Sequence, residues 1–156
     1  MSNQPRLHVK NGALRALIVQ EMARLGPYAD LNHIDVSAIS DMSYLFASED
    51  VQGLPLDDGV GDFDGDISRW DTSKVSTMKG MFLRSEFAGE VANWDVGRVE
   101  NMYEMFSHSR FDGDLSAWDT SRVNFMARMF YGAQFDGDIS DWDVSAAVDM
   151  GSMFQE

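Results

Sequence analysis

Carboxylates in register are the first feature of this 156-residue chain that could do chemistry. Asp30, Asp66, Glu90, Asp114 and Asp138 hold equivalent places, the last four 24 residues apart. Asp64, Asp112 and Asp136 make a second row, broken by Ala88. Stacked at the ~5 Å spacing of neighbouring strands, such charges repel by roughly 1 kcal/mol each even in water. Three arrangements would relieve them. Calcium takes several oxygen ligands and could sit between rows. A basic partner protein could neutralise the face. Alternatively, each side chain accepts amides of its own Asx turn beside the glycine row Gly65, Gly89, Gly113 and Gly137. Asp62, Asp64 and Asp66, in GDFDGD, imitate the opening of a calcium loop. Ile67 and Ser73 stand where that loop needs its glycine and glutamate, so the match is weak.

A further row, Asp35, Asp71, Asp95, Asp119 and Asp143, is identical in every copy. Sameness throughout one chain favours a structural duty over a single active site. The expectation is a buried or half-buried carboxylate accepting backbone amides in a strand-to-helix turn. Replacing Asp119 with alanine should then lower the melting temperature.

Catalytic chemistry is poorly represented. His8, His33 and His108 are scattered, with no serine or acid beside them in triad fashion. Gly59, Gly61 and Gly65 lack the spacing of a nucleotide loop. The chain has no cysteine, so disulfides, thiolate metal sites and cysteine nucleophiles are excluded. A formal charge of −14 argues against nucleic-acid binding through phosphate neutralisation. No stretch approaches the ~20 apolar residues of a membrane span. The reading is therefore no enzyme, no cofactor, no nucleic acid and no membrane span.

The carboxylates belong to a repeat. Phe63, Phe87, Phe111 and Phe135 stand 24 residues apart, and each opens the same sentence, such as FDGDISRWDTSKVSTMKGMF. An earlier copy, ADLNHIDVSAISDMSYLF, has Ile34 in place of tryptophan. It is followed by an insertion within residues 47–62. In each unit Phe63, Gly65 and Ile67 alternate with polar residues, the two-residue period of a short strand. Val75, Met78, Met81 and Phe82 then read as one face of a short helix. Trp70, Trp94, Trp118 and Trp142 share one place, and with the Met and Phe rows they form the expected core. Neither element could bury its face alone, so neighbouring units must stabilise one another.

Residues 1–26 differ in kind. Asn11 is the expected N-cap of an amphipathic helix carrying Leu14, Leu17, Ile18, Met22 and Leu25, ended by Gly26-Pro27. This segment has Arg6, Lys10, Arg15 and Arg24 against Glu21 alone, and it reads as a cap over the first unit.

The unit, with Trp-Asp, Met and Met-Phe at fixed offsets, resembles the bacterial surface-protein repeat of mycoplasma-type lipoproteins and BspA-like proteins, over residues 28–156. That resemblance implies a leucine-rich-repeat-like fold and protein binding at the cell surface, with no catalytic residues. Two departures are the twelve-residue insertion and an opening, MSNQPRLHVK, without the apolar core of an export signal.

The resulting expectation is an α/β, leucine-rich-repeat-like solenoid of five units. Residues 1–26 form the cap, and the units span 27–62, 63–86, 87–110, 111–134 and 135–156. Its function would be non-enzymatic protein recognition at the bacterial surface or in secreted form. The alternative is a cytoplasmic acidic module that binds or inhibits a basic protein. Asp66, Glu90, Asp114 and Asp138 would supply charge on the strand face. Arg84, Arg110 and Tyr131, with the insertion, would supply specificity from the variable loops. The C-terminal edge after the fifth unit would be open, which predicts a homodimer through that end or a longer array.

Overall fold

The structure, a computed structural model, describes residues 7–9 and 12–155. Regular elements among these residues are few. They are strand β1 (Leu7–His8), helix α1 (Leu14–Leu25), strand β2 (Ile34–Asp35) and one 3-10 turn at Val60–Asp62. β1 pairs in parallel with β2, Leu7 opposite Ile34. The expected strand and helix in each unit do not form, and the α/β leucine-rich-repeat-like solenoid is not the architecture. The copies are built from turns.

The backbone shows why no helix forms over the Val-Met-Met-Phe segment. In the second copy Met81, Leu83 and Ser85 donate to Met78, Gly80 and Phe82 three residues back, closing successive turns. The amides between them point sideways instead. Those of Met78, Gly80, Phe82 and Arg84 donate to Asn101, Tyr103, Met105 and Ser107 of the next copy at 2.8–2.9 Å. The residue two before the phenylalanine is left-handed in every copy: Tyr44, Gly80, Glu104, Arg128 and Ser152 have φ of 55–59°. A left-handed residue cannot propagate a right-handed helix. Spacings of 3, 3 and 1 still bury Val75, Met78, Met81 and Phe82 completely, because the turns aim them inward. Helical periodicity and this alternation give the same pattern of apolar residues.

The alternating segment is not a strand either. Among the described residues its ladder contact there is an isolated bridge, Asp30 to Asp66. The apolar–glycine alternation has another cause: each phenylalanine ring folds over the glycine two residues on. A Cβ on Gly89 would stand 2.7 Å from the Phe87 ring. Close approach, not a left-handed backbone, is what calls for glycine there.

Packing then joins one copy to the next. Phe46, Phe82, Phe106, Phe130 and Phe154 stack at 5.4–5.7 Å between centroids. Phe63, Phe87, Phe111 and Phe135 form a second pile at 6.0–6.4 Å. The piles touch, as between Phe82 and Phe87 at 4.6 Å. Full burial of each such side chain is worth about 1.5–3 kcal/mol. Trp70, Trp94, Trp118 and Trp142 are buried beside them. This shared interior replaces the stability that isolated turns lack.

α1 lies against the first copy, with Leu14 and Ile18 buried. Its Glu21 is buried too, 2.8 Å from Arg24 and 2.7 Å from His33 of the first copy. Those hydrogen bonds, led by that from Arg24, hold the carboxyl below its ordinary range against the opposing effect of burial. The helix ends at Gly26, whose φ of 86° is left-handed and whose amide reaches Met22 O at 2.8 Å. Asn11, the expected N-cap, lies outside the described residues, as do Arg6 and Lys10.

Candidate binding surface

The aspartates of the first carboxylate row sit at Asx turns. Asp66 Oδ1 accepts the Ser68 amide and hydroxyl at 2.9 and 2.7 Å, and Asp114 treats Ser116 in the same way. Asp138 accepts the Ser140 amide at 2.9 Å. Those bonds hold all three carboxyls below the ordinary value, in Asp66 and Asp138 led by the backbone amide and in Asp114 by the serine hydroxyl. Asp66, Glu90, Asp114 and Asp138 are all exposed, on a column of turns rather than on the expected strand face.

The second row does different work. Asp64 Oδ1 accepts the amide of Ala88 in the next copy at 2.9 Å, and Asp112 accepts that of Asp136 at 2.9 Å. These carboxylates join copies. Asp62 is exposed on the 3-10 turn. Among the described residues no three carboxylate or imidazole groups converge as a metal site, and Asp62, Asp64 and Asp66 do not do so.

The invariant row also caps turns. Asp35, Asp71, Asp95, Asp119 and Asp143 each accept the amide two residues on at 2.9–3.1 Å. Asp71, Asp95, Asp119 and Asp143 are exposed and Asp35 is half-buried. The expected burial therefore fails for four of them, because an Asx turn needs only its own local amide. Ser73 and Ser121 hydroxyls at 2.6 Å are the leading cause of the lowered pKa of Asp71 and Asp119. A third capping row escaped the sequence reading: Asp41, Asn101 and Asp149 accept the amides of Ser43, Tyr103 and Gly151. Its varied residue types hide it, and Phe125 interrupts it, 45% exposed.

The variable loops and the insertion do meet. The insertion folds back as a small hairpin, with Leu56 N donating to Ser48 O at 2.8 Å and Glu49 bridged to Pro55. Its residues Glu49, Asp50 and Val51 face Arg84, His108 and Tyr131 across a cleft of about 250 Å³. Arg84 pairs with Glu49 at 3.1 Å. Tyr131 meets His108 edge-on at 5.2 Å, and the Arg128 guanidinium lies 5.5 Å from the Tyr131 ring. Burial and then the Arg84 charge push the His108 pKa down. Arg110 does not line this cleft; it pairs with Glu86 at 2.7 Å.

Two other anchors were missed. The Nε1–H groups of Trp70, Trp94, Trp118 and Trp142 donate to Leu31, Ile67, Val91 and Leu115 carbonyls of the preceding copy, at 2.9–3.1 Å. Arg15 of α1 donates to Tyr44, Leu45 and Ala47 carbonyls at 2.7–3.0 Å and holds Asp58 of the insertion in a two-pronged pair at 2.8 Å. In sequence the tryptophan row signals only apolar bulk, and a lone arginine on a basic helix gives no signal.

No helix among the described residues is long and apolar enough to cross a membrane. No curated protein and no solved structure matches the chain. The repeat family described as "Mycoplasma protein of unknown function, DUF285" matches residues 18–84 and 56–156, which together take in all five copies, and the chain belongs to that family.

Proposed function

We propose that the chain is a non-enzymatic protein-recognition module of the bacterial surface or secreted kind, and that its partner presents a basic face. The observation that supports this reading is the exposed column Asp66, Glu90, Asp114 and Asp138. Where its aspartates cap turns, they do so with local bonds that leave the charge facing outward. Pulling the pKa values of Asp66, Asp114 and Asp138 down keeps those carboxylates ionised into mild acid. The cleft between the insertion and Tyr131 supplies uneven shape beside a regular frame, which is where repeat scaffolds carry specificity. The surface setting is taken from the mycoplasma-type family.

The test uses binding at two salt concentrations to extracellular proteins with pI above about 9 and to a matched neutral set. The variant Asp66→Asn/Glu90→Gln/Asp114→Asn/Asp138→Asn keeps the turn-capping oxygens and removes the charge. It should weaken binding to a basic partner at least tenfold, roughly 1.4 kcal/mol. A control, Asp71→Asn/Glu100→Gln/Asp119→Asn/Asp141→Asn, makes the same change in net charge at exposed positions outside both the column and the insertion. Equal losses in the two variants would reduce the effect to bulk charge and reject the column as a recognition surface.

A further inference from the structure

Phe125 breaks a rule that the other copies keep. At the same place they carry Asp41, Thr77, Asn101 and Asp149, whose side-chain oxygens accept the amide two residues on at 2.8–3.4 Å. A phenyl ring cannot accept that bond, and the amide of Ala127 meets no acceptor among the described residues. The ring itself is 45% exposed. This copy therefore gives up a turn cap and wets an aromatic ring, and neither change serves folding. Violations of that kind mark places held for another purpose. Beside the ring lies a shallow hollow of about 220 Å³, lined by Lys79, Asn101, Tyr103 and Phe125 from three successive copies. Its cation has no counter-ion. Arg69, Arg84, Arg110 and Arg128 each pair with a carboxylate, whereas Lys79 pairs with none among the described residues. The Lys79 ammonium lies 5.4 Å from the centroid of the Tyr103 ring and 5.9 Å from that of Tyr44. Asn101 Oδ1 is engaged by the Tyr103 amide at 2.9 Å, while its Nδ2 donates to nothing among the described residues.

We propose that this hollow binds a single carboxylated sugar ring, a glycuronic acid residue. The four side chains define the occupant. The face of an aromatic ring is electron-rich, and the C–H bonds of a pyranose seat against it, which is the use an exposed Phe125 offers. The volume is below the ~300–1,000 Å³ of pockets that take larger molecules, so it suits one ring. Lys79 supplies a charge-assisted donor to a carboxylate. Asn101 Nδ2 supplies a neutral donor to a ring or hydroxyl oxygen. No carboxylate lines the hollow, and neighbouring Glu104 pairs with Arg128 at 3.4 Å, so an anion meets a cation here although the chain carries −14. The carboxyl end of a peptide would bring the same charge. It would also bring an amide N–H, and the Asn101 oxygen that could accept it is already engaged. A sugar hydroxyl, by contrast, accepts as readily as it donates. The hollow shares no residue with the acidic column or with the cleft beside Tyr131, so it stands apart from the protein-recognition reading.

The probes are methyl β-D-glucuronide and its neutral match, methyl β-D-glucoside, each titrated into the full chain while NMR signals are followed. The glucuronide should shift the ring signals of Phe125 and Tyr103 to saturation, and the glucoside should bind at least about tenfold more weakly. Lys79→Gln keeps a donor and removes the charge, so it should bring the two sugars to equal affinity. Phe125→Asn, which installs the residue type of the third copy, should abolish binding while the melting temperature holds or rises, because the turn regains its cap. The proposal is overturned if the glucuronide shifts neither ring or if the glucoside binds the parent equally well. It is also overturned if Phe125→Asn binds like the parent or melts below it, the latter making the ring a structural group. Tighter binding of acetyl-phenylalanine at the same residues would overturn it in favour of a peptide's carboxyl end.

Discussion

Replacing Arg15 with methionine keeps most of the apolar stem and removes the guanidinium that closes the first copy against α1. Five bonds disappear: two to Asp58 at 2.8 Å and three to the carbonyls of Tyr44, Leu45 and Ala47. Hydrogen bonds to a charged group contribute about 1.5–3 kcal/mol each when shielded, whereas fully exposed ion pairs contribute about 0–1 kcal/mol. The side chains of Arg15 and Asp58 are 23% and 31% exposed, so water can replace part of what is lost. The working figure is a loss of about 2–4 kcal/mol, well below the sum of shielded bonds. For a chain of this size each kcal/mol moves the midpoint by about 2–4 °C, so thermal unfolding should begin roughly 5–15 °C lower. Arg15→Lys should recover less than half, because an ammonium cannot span a carboxylate and three carbonyls in one plane. Asp58→Asn should be strongly non-additive with Arg15→Met, with a coupling of about 1–2 kcal/mol by chemical denaturation. A melting temperature within about 1 °C of the parent for Arg15→Met, or simple additivity of the two changes, would refute the assignment of Arg15 as the closing group.

Trp118→Phe tests the indole row. It leaves the Val91 carbonyl without its 3.1 Å partner in a buried place and opens space beside Phe106, for a loss of about 2–4 kcal/mol by denaturant melt; a change below about 0.5 kcal/mol would show that bulk alone matters at that position. Asp119→Ala removes the cap on Ser121 and should lower the thermal midpoint, while Asp119→Asn, which retains the accepting oxygen, should restore most of it; equal falls in the two variants would point to charge rather than capping as the role.

What the sequence discloses about this fold depends on how many structures share one pattern. The 24-residue spacing and the Trp, Met and Phe rows pointed to an interior of like residues in contact, and the rings do stack copy on copy. The local conformation was not legible. Buried residues at 75, 78, 81 and 82 suit a helix, yet they equally suit turns that alternate with sideways amides. The deciding feature is the left-handed backbone at Tyr44, Glu104, Arg128 and Ser152, and none of these residue types announces it. Among the carboxylates, Asx capping was one of three readings, and the Asp-x-Ser spelling of Asp66, Asp71, Asp114 and Asp119 is its signature. Arg15 was invisible because its partners lie 29 to 43 residues away in sequence.

The absence of strands from the Met-Met-Phe segments has a mechanical consequence. In an ordinary sheet a chain segment engages neighbours on both sides, so an edge can offer donors and acceptors alike. Here, over the Met-Met-Phe segment, alternate amides close turns within a copy and the others all point toward the following copy. Over that segment every copy has a donor side and an acceptor side, whereas elsewhere amides such as those of Ser76, Glu100 and Asn124 donate to the copy before. At the first copy that acceptor side is met by α1, where the guanidinium of Arg15, with five N–H donors in a fixed fork, serves the Tyr44, Leu45 and Ala47 carbonyls together. A carboxylate or an apolar side chain from α1 would leave Leu45 O and Ala47 O unsatisfied. The cationic residue at this junction thus follows from hydrogen-bond direction over that segment.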